Sequence, residues 1–405
     1  MKNLVTLRPA LLCVALLSAF NAPAAFAWNT LSGAAPIVIG HRGASGYLPE
    51  HTLASYALAI EQGAHFIEPD LVLTKDGHLI ARHEPILDGT TNVSSMFDAS
   101  RKTTRLLDGV STTAYFADTF TLAEIKTLRA IQPRADRDQS FNGLYDIPTL
   151  DEVITLAQSK GVGIYPELKH SVYMNAQAAN NGFAANYFED KLVSTLHAAY
   201  GNAAAAPVFI QSFEVSNLQY LNGRTDIRLV QLMDAWDVNA DGSMDLTVPP
   251  YDRPFDFAEA GDPRTFGDLL TPAGLDFIAS YADGIGPWKP YLLKTVADGV
   301  ERTGDGVIDA RDRLVEGSTG IVEAAHARGL LVHTWTFRDD SIGYQLGYGT
   351  PEEEYAAFYA LGVDGVFSDH PDTALAALAA VPEPETYAML LAGLGLIGFA
   401  ARRRA

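Results

Sequence analysis

Short apolar runs recur along this chain with helical stretches between them, and that alternation constrains the fold more than any other feature. The runs at residues 35–40, 162–168, 208–212, 228–233, 282–286, 331–336 and 366–368 each read as a buried strand, too short for a helix. Two more strands come from residues 68–81, where Leu71, Leu73, Leu79 and Ile80 flank Asp76-Gly77. That dipeptide tolerates positive φ and favours a two-residue hairpin turn. Helices are signalled at 53–62, stopped by Gly63, and from the capping box of Thr149 and Glu152 to Lys160-Gly161. Others follow at 187–200, at 320–328 and at 351–361, the last with Thr350 as N-cap and Pro351 in first position. A tight hairpin leaves no room for a crossover helix, so its return strand drops out of the count of nine and eight strands remain. Eight strands alternating with helices predict an α/β fold, a (β/α)8 TIM barrel with an extra hairpin strand. A doubly wound open sheet is the alternative, but no Gly-rich phosphate loop of the usual spacing supports it.

A barrel of this kind carries its active site at the C-terminal ends of its strands. His41, Glu68, Asp70, Glu167, Lys169, Gln211, Trp335 and Asp369 all fall at or just after a predicted strand end. Within the hairpin, a two-residue turn sets Lys75 opposite His78 and Asp70 opposite His83, with Glu68 on the same face as Asp70. Two carboxylates and an imidazole suit a hard divalent cation with an acid–base group beside it. A solvated strand face is the plain alternative for such a cluster. Residues 86–147 show weak periodicity, with one short helix signalled by the capping box of Thr121 and Glu124, and read as an insertion beside the site.

The two ends carry a different message. Residues 1–27 begin with Lys2 and Arg8, run through an apolar stretch and finish Ala25-Phe26-Ala27, the pattern of a cleaved secretory signal peptide. The single cysteine, Cys13, leaves with it, so disulfides, zinc–thiolate sites and cysteine nucleophiles are excluded from the body at 28–380. Residues 381–405 run Val-Pro-Glu-Pro-Glu-Thr, then an apolar Gly-rich stretch, then Arg402-Arg403-Arg404. They read as a stiff linker, a short membrane-inserting helix and a positive stop. This tail resembles the PEP-CTERM sorting signal of Gram-negative bacteria. The resemblance implies export and sorting machinery as partners, with display at the cell surface, in the periplasm or in extracellular polymer. The net charge of −20 argues against nucleic acid as a partner and against any membrane contact beyond the sorting helix. An anionic substrate then requires a bound cation to reverse the sign locally.

Taken in order, His41-Arg42-Gly43, Pro49-Glu50-His51-Thr52, Glu68-x-Asp70, His83-Glu84-Pro85, Pro166-Glu167-Leu168-Lys169, Gln211-Ser212-Phe213 and Trp335-Thr336-Phe337 form a series. With that series the body resembles the glycerophosphodiester phosphodiesterases, the periplasmic calcium-using bacterial kind in particular. The resemblance implies that His41 and His83 act as general acid and base, and that Glu68, Asp70 and Glu167 bind a divalent cation, calcium with magnesium as the alternative. It implies phosphate contacts from Arg42 and Lys169, substrate contacts from Gln211, Phe213 and Trp335, and small glycerophosphodiesters as substrates. The products expected are glycerol 3-phosphate and an alcohol such as choline or ethanolamine. These roles agree with the chemistry, since a phosphodiester resists attack until its charge is neutralised and its departing alkoxide is protonated.

Other features are open at this level. His51 either lines the pocket or caps a loop, and Phe213, Trp288 and Trp335 either form an apolar wall or pack in the core. The Asp/Gly-rich segments 237–248 and 301–312 approach the spacing of calcium loops without completing it. Two rival functions also stand: a phospholipase of related barrel type acting on intact lipids, and an exported matrix protein without catalysis.

Overall fold

The computed structural model describes residues 28–340 and 346–380. The expected signal peptide and sorting tail lie outside the described residues. Among the described residues no helix is long and apolar enough to cross a membrane.

The strands run in chain order as follows. β1 (Ile37–His41), β2 (Phe66–Glu68), β3 (Asp70–Leu73) and β4 (Leu79–Ala81) come first. The insertion holds β5 (Thr103–Leu107) and β6 (Val110–Ala114), and β7 (Gly163–Ile164), β8 (Glu167–Leu168), β9 (Phe209–Ser212) and β10 (Arg228–Met233) follow it. β11 (Asp237–Val238) and β12 (Met244–Asp245) form a small hairpin, then come β13 (Gly284–Pro287), β14 (Leu293–Val296), β15 (Leu314–Ser318), β16 (Leu331–Phe337) and β17 (Gly365–Ser368).

The main sheet closes on itself. β2 and β3 are two halves of one barrel strand parted at Pro69, and β7 and β8 are halves of the next, parted at Tyr165-Pro166. β2 pairs with β1 and β7, and β3 pairs with β8. From β8 the parallel pairing passes through β9, β10, β13, β16 and β17 back to β1. This is the (β/α)8 ring, with β4 as the added antiparallel strand. Ile39, Tyr165, Phe209, Val230 and Phe367 fill its interior, with Tyr165 and Phe209 stacked 4.8 Å apart. Inward-pointing rings of this size supply the largest share of burial per residue, so truncating one costs about 3–5 kcal/mol.

Local signals were realised where they are strongest. Thr121 and Thr149 both form complete capping boxes, and the helix Leu150–Lys160 ends on Gly161 with φ +69°. The helix Pro351–Leu361 starts at the Thr350 cap, whose side chain accepts from the Glu353 N–H.

The hairpin register departs from the expectation. Leu71 faces Ala81, Val72 faces Ile80 and Leu73 faces Leu79, so Asp70 stands across from Arg82 and not His83. The Thr74 N–H donates to His78 O at 2.9 Å and the Gly77 N–H to Thr74 O at 3.0 Å. The loop is therefore three residues, Lys75-Asp76-Gly77, with Gly77 at φ +78°, which is the next commonest hairpin after the two-residue turn. The shift turns Arg82 inward, where its fully buried guanidinium donates to the carbonyls of Glu50, His51 and Thr90 at 2.7, 3.0 and 3.0 Å.

Candidate active site

The first element of the site is set by backbone conformation. β1 ends at His41, Arg42 adopts φ +60° and Gly43 adopts φ +92°. A Cβ on Gly43 would lie 2.4 Å from Ser55 Oγ, so only glycine permits the turn. That turn aims the Arg42 backbone N–H at Glu68 Oε2, 2.7 Å away. The Arg42 guanidinium donates to Glu50 at 3.0 Å and lies 3.5 Å from Asp70. Burial pushes the Glu50 carboxyl up, but Arg42, followed by His51, His83 and Arg82, outweighs it and holds Glu50 at about 2.

Strand register brings the carboxylates together. His41 pairs with Glu68, Asp70 with Glu167, and Glu167 with Gln211, one layer around the top of the barrel. Glu68, Asp70 and Glu167 are buried and offer oxygens that all lie within 4.8 Å of one another. Burial, followed by the neighbouring carboxylates, pushes Glu68 well up. Glu167 rises to about 8, driven first by burial, with Lys169 opposing. Asp70 is held low against its burial by Lys169 and His51. Asp70 Oδ1 and Gln211 Oε1 are buried without a hydrogen-bond partner. Three crowded carboxylates, with an unsatisfied Asp70 oxygen, a free Gln211 amide oxygen beside them and no thiolate nearby, fit a hard divalent cation.

Two histidines border this cluster, each fixed by a carboxylate. His41 donates from Nδ1 to Asp369 Oδ1 at 2.5 Å, leaving Nε2 as the site that accepts a proton. Asp369 Oδ2 accepts from Arg137 at 2.5 Å and from Arg338 at 2.8 Å. Burial first, then Arg42, lowers the His41 pKa to about 4, against the opposing pull of Asp369. His83 lies 3.0 Å through Nδ1 from Glu84, and its Nε2 is 3.4 Å from Lys169 Nζ. Burial, Arg42 and Lys169 lower its pKa. Glu84 also accepts from His170 Nε2 at 2.8 Å, and His170 Nδ1 donates to Asp108 at 2.7 Å at the tip of the β5–β6 hairpin. The insertion thus reaches both dyads, directly through Arg137 on Asp369 and by way of His170 through Asp108 on the other side.

A cavity of about 300 Å³ opens over these groups. His41, Arg42, Glu68, His83, Glu167, Lys169, Gln211, Phe213 and Trp335 all border it. Asp70 lies just beneath, bonded to His51 Nε2 at 2.9 Å. His51 is therefore neither pocket wall nor loop cap; it is fully buried between Asp70 and the Tyr56 hydroxyl, 2.8 Å away. Phe213 and Trp335 meet edge to face at 5.6 Å, whereas Trp288 sits outside the cavity lining. Residues 237–245 form the β11–β12 hairpin. In 301–312, Arg311 holds Asp305 and Asp309, and the Arg302 and Thr303 N–H groups occupy Asp312. Among the described residues, only Glu68, Asp70 and Glu167 form a cluster that suits a metal.

Sequence reasoning missed several partners. Asp369 follows β17 directly and was visible as a strand-end acid, but its clamp on His41 was not. Arg137 and Asp108 lie in the weakly patterned insertion, and no local signal connects them to the barrel mouth.

Comparison with known proteins sets this geometry in a family. A model described as the glycerophosphoryl diester phosphodiesterase family matches residues 41–249 and 293–373, and a PEP-CTERM protein-sorting motif matches residues 380–404. That motif marks the chain for export through a sorting system of Gram-negative bacteria. A glycerophosphodiester phosphodiesterase of Arabidopsis thaliana is 36% identical over 347 residues, covering 82% of this chain and 83% of that protein. Another, of Haemophilus influenzae, is 28% identical over 398 residues, covering 92% and 97%. A phosphodiesterase of Oleispira antarctica, solved with the product sn-glycerol-3-phosphate, is similar in fold. Its TM-score is 0.52 at 21% identity, over 87% of this chain and 100% of that one. The family match runs from the end of the first barrel strand past the last, over the same strand ends that build the site, and this chain is an enzyme of the glycerophosphoryl diester phosphodiesterase family.

Proposed function

We propose that the enzyme hydrolyses small glycerophosphodiesters to glycerol 3-phosphate and an alcohol, outside the cytoplasm, with a divalent cation held by Glu68, Asp70 and Glu167. The observation that carries this reading is the convergence of that carboxylate cluster with two carboxylate-clamped histidines in one cavity. Calcium is the expected ion, with magnesium as the alternative, since the donors are hard oxygens. When bound, the cation supplies charge neutralisation at the phosphate's non-bridging oxygens.

The protein's own groups do the rest. Arg42, fixed by Glu50, and Lys169, 3.0 Å from Glu167, present positive charge to the diester. His41 and His83 divide the proton transfers: one takes the proton from the attacking oxygen, and the other gives one to the departing alkoxide. Each ring has Nδ1 against a carboxylate, which turns Nε2 to that work, that of His83 lying 3.4 Å from Lys169 Nζ. Gln211 steadies Glu68 through a 3.3 Å bond, and Phe213 and Trp335 shield the substrate from water. Display at the outer surface or release into extracellular polymer is the destination this reading favours, in keeping with the sorting motif.

The two histidines are separable by leaving-group chemistry. A p-nitrophenyl ester of glycerol phosphate departs without needing a proton, so the variant lacking the general acid retains activity on it, and the variant lacking the base does not. His41→Ala and His83→Ala are each expected to lose at least ~100-fold in kcat on glycerophosphocholine. Near-wild-type kcat in both variants would defeat the acid–base assignment.

A further inference from the structure

The reaction described above uses one half of the cavity. The other half is walled by β9, β10 and β16 and by the loop that follows β10, across the barrel mouth from Glu68 and Asp70. Asp234 follows β10 directly and borders this half. Among the described residues its carboxylate takes one hydrogen bond, from the Ala235 N–H at 2.8 Å, and no cation lies within ion-pair distance, the charge of Lys169 acting on it from farther off. The nearby Arg253 is already engaged, by Asp252 at 2.7 Å and the Asp262 carbonyl at 3.3 Å. The lining of this half is aromatic as well: Phe213 and Trp335 at right angles, with Tyr251 and Phe266 beyond, and Lys169 Nζ lies 5.4 Å from the Phe213 ring centroid.

We propose that this half of the cavity is a subsite for the positively charged end of the departing alcohol, an ammonium or quaternary ammonium group, with Asp234 as its counter-charge and Phe213 and Trp335 as its aromatic walls. The proposal rests on the phosphodiesterase reading, which seats the phosphate between Arg42, Lys169 and the carboxylate cluster. Asp234 is half-buried on the cavity wall, and its desolvation there pushes the carboxyl up to about 7, with the charge of Lys169 opposing. A cationic ligand relieves that penalty. A quaternary ammonium has no N–H to donate and is drawn to the faces of aromatic rings, so it fits one carboxylate among rings. A polyol needs several polar partners, and those lie in the opposite half, at Arg42, Glu68, Glu167 and Gln211. Asp234, Phe213 and Trp335 fall inside the segments that the family model matches, whereas the outer lining at Tyr251, Arg253 and Phe266 falls between them.

The test compares kcat/KM for glycerophosphocholine and glycerophosphoethanolamine with that for the neutral glycerophosphoglycerol, in the wild type and in Asp234→Asn. Choline binding to both proteins is followed in parallel by tryptophan fluorescence. The ratio of cationic to neutral kcat/KM is expected to fall at least ~10-fold in the variant, and choline affinity to fall similarly. A ratio unchanged within about 2-fold, whether all three rates drop together or none does, would overturn the subsite. If the wild type cleaves none of the three diesters, the phosphodiesterase reading fails. In that event, choline binding that depends on Asp234 still supports the subsite, and its absence overturns it.

Discussion

Replacing Asp369 with Asn removes one charge from the point where three cationic or polar groups meet. Asp369 accepts from His41 Nδ1 at 2.5 Å, from Arg137 at 2.5 Å and from Arg338 at 2.8 Å, and it is buried. A hydrogen bond to a charged group contributes roughly 1.5–3 kcal/mol. If the bond to His41 is what steadies the imidazolium during proton transfer, its loss lowers kcat by about 10- to 150-fold. The stability cost falls near the lower end of the ~3–5 kcal/mol range for a broken buried pair, because Asp340 still holds Arg137 through two bonds of 2.5 and 3.2 Å. Glycerophosphocholine turnover and urea unfolding, measured on the same preparation, separate the two effects. A folded Asp369→Asn protein with kcat within 3-fold of wild type (roughly 0.6 kcal/mol) would refute the orienting role.

His170 supplies a prediction about pH. It donates from both ring nitrogens, so it is an imidazolium, and Glu84 and Asp108 outweigh its burial to raise its pKa to about 10. Its contribution to stability is therefore whole below the unfolded value of about 6.5 and is lost as pH rises toward 10, at up to about 1.4 kcal/mol per unit. The unfolding free energies of wild type and His170→Gln should differ most near pH 6 and converge by about pH 10. A gap that widens with pH contradicts the pairing. Gly43→Ala should lower stability by at least about 2 kcal/mol and reduce activity, because φ +92° and a 2.4 Å approach to Ser55 Oγ forbid the turn that aims the Arg42 N–H at Glu68. Wild-type melting and turnover in that variant would show the turn to be dispensable.

The parts of this molecule legible in its sequence are those determined by local pattern. β1, β9, β10 and β17 are short, mostly apolar runs that read as buried strands, and His41, Glu68 and Glu167 stand at strand ends where the barrel puts chemistry. The capping boxes at Thr121 and Thr149 formed because both of their bonds are local. What escaped was tertiary or hinged on a single residue of loop length. The Asp76-Gly77 turn took one residue more than the dipeptide suggests, which moved Asp70 from His83 to Arg82. His83 still reaches the site, beside Lys169, because the chain bends after β4. Arg137 reaches Asp369 from 232 positions away, a distance at which spacing carries no signal. The calcium-like segment at 301–312 has carboxylates at suggestive intervals, but Arg311, which a spacing pattern does not weigh, pairs with Asp305 and Asp309, and the Arg302 and Thr303 N–H groups occupy Asp312.

The central claim is that a cation-dependent diesterase works at the Glu68, Asp70 and Glu167 cluster. The most direct test is release of glycerol 3-phosphate from glycerophosphocholine by the purified protein with calcium, with magnesium and after chelation, beside a His41→Ala control. Activity that requires the cation, returns when it is restored and is absent in the control is the predicted result. Turnover that persists at full rate after exhaustive chelation, or that survives in His41→Ala, would contradict the account.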